Sequence, residues 1–172
     1  MRILSLGSLL LFTYLLCGAQ TTLWSQFFSW VIAPLLWINL VVYLTIERPT
    51  YIALAHIYCV GLIVSTFTAM PLGLLLLTLF LLFWSIHFIR MRIYWQGSMY
   101  YAFMCFIGLS AYQIIFYLSS HLFEANSTGL LFFDRVVQIL ITPLFSFWMY
   151  SVLKKLDFWF RVSGPELEGI EL

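Results

Sequence analysis

From Ile3 to Leu153 the chain is a succession of long apolar runs, and no run has an Asp, Glu, Lys or Arg near its centre. The first 153 residues carry only eight charges: Arg2, Glu47, Arg48, Arg90, Arg92, Glu124, Asp134 and Arg135. Water would not hold such a chain in solution, whereas a bilayer requires this pattern. The chain is 63% hydrophobic and 9% charged, against roughly a quarter charged in a soluble domain. It therefore reads as an integral membrane protein. At about 20 residues per crossing, 172 residues hold six or seven helices and almost nothing else. That excludes a soluble catalytic domain and a disulfide scaffold. A net charge of +1 without a basic run gives no reason to expect a nucleic-acid partner.

The apolar runs predict six spans, at about 3–19, 30–46, 51–68, 72–89, 98–121 and 135–153. Cys17, Gly18 and Ala19 end the first run with small residues, as a signal-peptide cleavage site would. The run is longer than a usual signal core of about 7 to 15 residues, so a retained first span is favoured. Residues 20–29 mix polar groups with Trp24, Phe27 and Phe28 and read as an interfacial turn. Glu47, Arg48 and Pro49 stop the second span, where charge and a missing amide coincide. Pro71 and Gly73 form a turn so short that spans three and four must be antiparallel neighbours. Tyr94 and Trp95 beside Arg90 and Arg92 mark a water boundary. Lys154 to Arg161 reads as a basic, aromatic anchor lying along the membrane surface. The expected organisation is a single six-helix domain, 1–161, with a short acidic tail, 162–172.

Lys and Arg set the orientation. With a cytoplasmic amino terminus, the inside segments hold Arg2, Arg48, Arg90, Arg92, Lys154, Lys155 and Arg161, and the outside segments only Arg135. The expected fold is an all-α, polytopic helix bundle of six transmembrane helices with both ends in the cytoplasm (N-in/C-in). A cleaved first span would leave the remaining orientation unchanged.

An ionisable group at mid-bilayer is a functional hypothesis by default, and the span centres hold none. His56, His87 and His121 lie near span ends. His56 and His87 fall toward the cytoplasmic side and could meet across the hairpin. Cys59 is three residues after His56, on one helix face, which invites a metal reading; weakly polar helix contacts are the simpler one. Cys17, Cys59 and Cys105 read as buried small apolar groups. No zinc-protease, nucleophile-elbow or phosphate-loop motif is present, and no span offers an acid as general base. No catalytic residue, cofactor or metal ligand is expected. Asn126, Ser127 and Thr128 fit a glycosylation sequon in the fifth loop, or simply a polar loop.

Isolated polar groups remain in the spans: Asn39, Ser65, Thr66, Thr68, Ser110, Gln113, Gln138 and Thr142. Such groups join helices or line a small pocket. Pro34 and Pro143 each remove one helical hydrogen bond and should kink a span or delay its start.

The pattern resembles the MreD family of bacterial rod shape-determining proteins. The matching residues are Pro34 with Leu35, Leu36 and Tyr43; Gly61; Pro71, Leu72 and Gly73; and Gln138, Pro143, Leu144, Phe145, Lys154 and Lys155. Ser65 and Ala69 stand where the family commonly has an acid and a Gly, Leu35 where it often has Asp or Asn, and Gln138 where Asn is usual, so the chain resembles a divergent member. The resemblance implies a non-enzymatic, multi-pass inner-membrane component of the cell-wall elongation complex that helps maintain cell shape. The implied partners are membrane lipid, an MreC-like scaffold, MreB filaments, RodA and the elongation transpeptidase. It also implies a fold similar to the substrate-binding subunits of energy-coupling-factor vitamin transporters. The rival expectation is therefore a vitamin-type binding subunit, with Asn39, His56, Gln113 and Gln138 as pocket polars. Pro34, Asn39, His56, Ser65, Pro71, Gly73, Gln113, Gln138 and Pro143 are the candidate partner or pocket positions.

Overall fold

A computed structural model describes residues 2–28, 32–93, 97–123 and 132–159, with side chains from Gly7 in the first segment and Phe133 in the last. Arg2, Trp30, Tyr94, Trp95, the sequon at Asn126 and everything after Trp159, Arg161 and the acidic tail included, lie outside those side chains. Among the described residues the chain is all-helical, with no strand. The helices are α1 (Arg2–Gly18), α2 (Trp24–Phe27), α3 (Leu36–Glu47), α4 (Thr50–Ser65), α5 (Leu72–Arg92), α6 (Ser98–Phe123) and α7 (Phe132–Trp159).

Prolines and glycines set most boundaries. Pro34 holds its predecessor away from helical backbone, and Leu36 N donates to Pro34 O at 3.0 Å. Leu35 at φ −84, ψ 70 makes this an inverse γ-turn. The second apolar run, expected to be helical from about Trp30, is therefore not helical over 32–35 and starts only at Leu36. Arg48 is extended before Pro49, which ends α3. Pro49 and Pro71 stand immediately before α4 and α5, where a missing amide costs nothing. Gly97, at φ 118, supplies the left-handed residue before α6.

Two sequence expectations fail at helix ends. The interfacial turn over 20–29 is instead helical to Phe27, through a π-helical turn at Ala19–Leu23 that joins α1 to α2. Its hydroxyls bond back within the rod: Thr22 Oγ1 donates to Gly18 O at 2.6 Å and Ser25 Oγ to Thr21 O at 2.8 Å. Hydroxyls bonding back to carbonyls one turn earlier suit a widened turn, and no Pro or Gly lies within 20–28 to break it. The surface anchor expected from Lys154 is the continuation of α7, which stays helical to Trp159.

Side-chain contacts fix the helix directions. Arg90, in the last turn of α5, donates to Thr45 O near the end of α3 at 2.9 Å, and Arg48 meets Asp157 near the end of α7 at 2.6 Å. The C-terminal ends of α3, α5 and α7 therefore share one end of the bundle. Tyr100, in the first turn of α6, donates to Ile93 O just after α5 at 2.9 Å, and Pro49 alone separates Arg48 from α4. Tyr14 of α1 meets Phe67, just after α4, edge to face at 5.3 Å. Thus α1, α4 and α6 run opposite to α3, α5 and α7.

The shortest of these long elements is the centre. Nine consecutive residues of α3, Trp37–Thr45, are buried, and α1, α4, α5, α6 and α7 all pack against it. A helix apolar on every side belongs inside a bundle. Glycines permit the closest approaches around it. A Cβ on Gly108 of α6 would lie 3.0 Å from Val42 and 3.2 Å from Ile86, and one on Gly61 of α4 would lie 2.8 Å from Leu76 Cδ2. The perimeter displays Leu11, Trp84, Phe88, Ile114, Leu140, Leu144 and Trp148, an apolar surface suited to lipid. Among the described residues, Leu72–Arg92, Ser98–Phe123 and Phe133–Trp159 are long and apolar enough to cross a membrane, while Leu36–Glu47 and Thr50–Ser65 are shorter apolar helices. The chain is a helical membrane protein.

Candidate functional site

Several buried polar groups of the bundle gather along one line, the contact of α3 with α7, in two layers. At the start of α3, Gln113 of α6 donates through Nε2 to Gln138 Oε1 of α7 at 3.1 Å. Gln138 Nε2 in turn donates to Ala33 O at 3.0 Å. One turn along α7, Thr142 Oγ1 accepts from Leu35 N at 3.2 Å, and Thr142 O accepts from Asn39 Nδ2 at 3.4 Å. These groups take up backbone atoms released where Pro34 delays α3. Within α7, Ser146 Oγ donates to Pro143 O at 2.5 Å. Asn39 is completely buried, and its Oδ1 has no partner.

The second layer lies at the other end of α3. Asp157 accepts from Tyr43 Oη through Oδ2 and from Arg48 Nη2 through Oδ1, both at 2.6 Å. Lys154 Nζ reaches Glu47 Oε2 at 3.0 Å and sits 5.6 Å from the centroid of the Tyr150 ring. Tyr43, Tyr101 and Tyr150 pack ring against ring, with Tyr101 and Tyr150 centroids 5.1 Å apart. Tyr101 Oη donates to Asn39 O at 2.6 Å and links the two layers. Arg90 on Thr45 O supplies a donor to a carbonyl the helix end leaves free. Arg48 is 7% exposed, so its partner is part of the fold, because an isolated buried guanidinium would be costly.

Of the sequence candidates, Pro34, Asn39, Gln113, Gln138 and Pro143 converge on the first layer. The other four do not. His56 Nδ1 lies 2.7 Å from Ile52 O of its own helix, and Ser65 Oγ donates to Leu62 O at 2.7 Å. Pro71 and Gly73 open α5 on the exposed side, with open space around Gly73. The expected approach of His56 to His87 has no counterpart in these contacts, since His87 stacks on Phe83 at 5.6 Å. The three cysteines are free thiols. Among the described residues no three His, Cys, Asp or Glu side chains converge to hold a metal ion.

Sequence reasoning missed the second layer, although a signal for it was present. Ser146, Met149, Leu153 and Asp157 recur at three- and four-residue spacing, so one continuous helix puts them on one face. Reading Lys154 onward as a separate anchor hid that face. Chemically, the bonds of both layers run between side chains of different helices and to backbone, which holds α3, α6 and α7 together, while Asn39 Oδ1 and Arg48 Nε stay unpartnered. No family model, curated protein or solved structure matches this chain.

Proposed function

We propose that this chain is a non-enzymatic, multi-pass protein of the bacterial cytoplasmic membrane that works by binding other membrane proteins. In this reading it is a divergent member of the MreD family and serves the cell-wall elongation complex. Its partners there are an MreC-like scaffold, MreB filaments, RodA and the elongation transpeptidase. The observation that carries the reading is that amide and hydroxyl side chains of the core join its own helices. Gln113, Gln138 and Thr142 are bonded across α3, α6 and α7, while the outside is apolar.

Six crossings with both termini in the cytoplasm fit the alternating helix directions. Arg48, Arg90 and Lys154 lie at one end of the bundle and Arg135 toward the other, next to Phe116. Helix α3, about 18 Å long at 1.5 Å per residue, is shorter than a hydrocarbon core of about 30 Å. Being enclosed by other helices, it need not match the lipid.

Depletion in the native host, with recovery of the tagged protein and its membrane partners, tests the proposal. Rounding of rod-shaped cells with capture of MreC-like or RodA-like proteins is the expected result; unchanged shape with neither captured would overturn it. The unpartnered Asn39 Oδ1 in a layer of amides favours a second reading, a vitamin-type binding subunit of a transporter. Mass spectrometry of small molecules released on denaturing the purified protein separates the two.

A further inference from the structure

We infer that α7 is a hinged helix: its first part, Phe133–Thr142, pivots at Pro143 away from α3 and α6, while the part from Ser146 to Asp157 stays fixed to the bundle. The inference holds for a scaffold or a ligand-binding subunit alike, because it rests on how the two parts of one helix are attached.

Beyond Pro143 three buried positions, Ser146, Met149 and Leu153, are fully enclosed. The same part carries the Asp157 contacts to Tyr43 and Arg48 and the Lys154 contact to Glu47. Before Pro143 the only buried described residues are Gln138 and Thr142, both polar, held by neutral bonds of 3.0 to 3.4 Å. Arg135 adds a cation contact to the Phe116 ring at 5.6 Å. Neutral interhelical bonds in a membrane contribute about 0.6 kcal/mol on average, so the first part is the weakly held one. Pro143 removes one of the backbone bonds that couple the two parts. Part of the surface facing the first part, residues 32–35 before α3, is not helical, and α6 supplies the rest through Gln113 and Phe116. Opening breaks the Gln113–Gln138 and Gln138–Ala33 bonds and exposes a row of neutral amide and carbonyl groups, Asn39 among them.

Hydrogen–deuterium exchange of the full chain in lipid nanodiscs tests the hinge. Peptides within 133–142 should exchange about tenfold faster than those within 146–157, as expected for a unit that opens on its own. Pro143→Ala should bring the two rates together by restoring the amide. Gln138→Leu should speed exchange in 133–142 and leave 146–157 unchanged. Equal rates in the unmodified protein would overturn the hinge. So would an unequal ratio that neither variant alters, which would assign it to fraying of the helix start.

Discussion

Asp157 is held by Tyr43 and Arg48 at 2.6 Å each, whereas Gln138, on the same helix and facing the same neighbour, is held by neutral amide bonds of 3.0 and 3.1 Å. The charged layer lies where helices end and basic residues collect. The amide layer lies among apolar side chains and beside both interrupted helices. The charges at the helix ends are paired with one another, and neutral amides suit the interior because no ion must be desolvated. One helix contact thus has an ionic end and a neutral end.

Removing one partner of the ionic end should have the largest effect. Arg48→Ala leaves the Asp157 carboxylate half-buried without its cation and should cost about 3 kcal/mol, measured by tryptophan fluorescence on thermal unfolding in lipid-like detergent. The double variant Arg48→Met, Asp157→Leu should recover most of that loss; a single-variant loss near zero would make this an ordinary exposed ion pair and erase the contrast. Gly61→Ala offers a purely apolar reference away from both layers. Its Cβ would sit 2.8 Å from Leu76 Cδ2 and 2.9 Å from Leu79 Cδ1; both are side-chain tips that can turn aside, and Ala favours a helix over Gly, so the net overpacking should cost about 1 kcal/mol on the same assay.

At the amide end, Gln138→Leu strands Ala33 O and the Gln113 amide and should cost about 1 kcal/mol. A loss as large as that of Arg48→Ala would invert the comparison. The smallest effect is expected of Asn39→Leu, within about 0.5 kcal/mol of the unmodified protein, because it loses a 3.4 Å bond but also an unpartnered acceptor. A loss well above that would mean the Asn39 amide is satisfied by a bound donor, which sharpens the ligand-binding reading.

Much of the first layer was legible in the chain. Pro34, Asn39, Gln138 and Pro143 stand out because polar groups and prolines are rare in apolar runs, and such residues must find partners in protein. His56 and Ser65 stand out for the same reason yet bond only within their own helix; spacing cannot tell a bond across helices from one turn of the same helix. The ionic layer was not legible, because Tyr43 and Asp157 are separated by 114 positions and Arg48 and Asp157 by 109. Local composition at Lys154 to Trp159 reads equally well as a surface anchor or as a helix end.

The sequence by itself determined that the chain is helical and apolar, and that prolines at 34, 49 and 71 interrupt it. Those properties follow from the solvation of each run and from a missing backbone donor, both local. Only the tertiary structure decided that the short α3 is the centre and that Asp157 faces inward. Those depend on which side chains meet after the helices pack, and packing of similar apolar surfaces is settled by close fit and a few polar bonds. Hydropathy, which is nearly the same on every face, carries no such information.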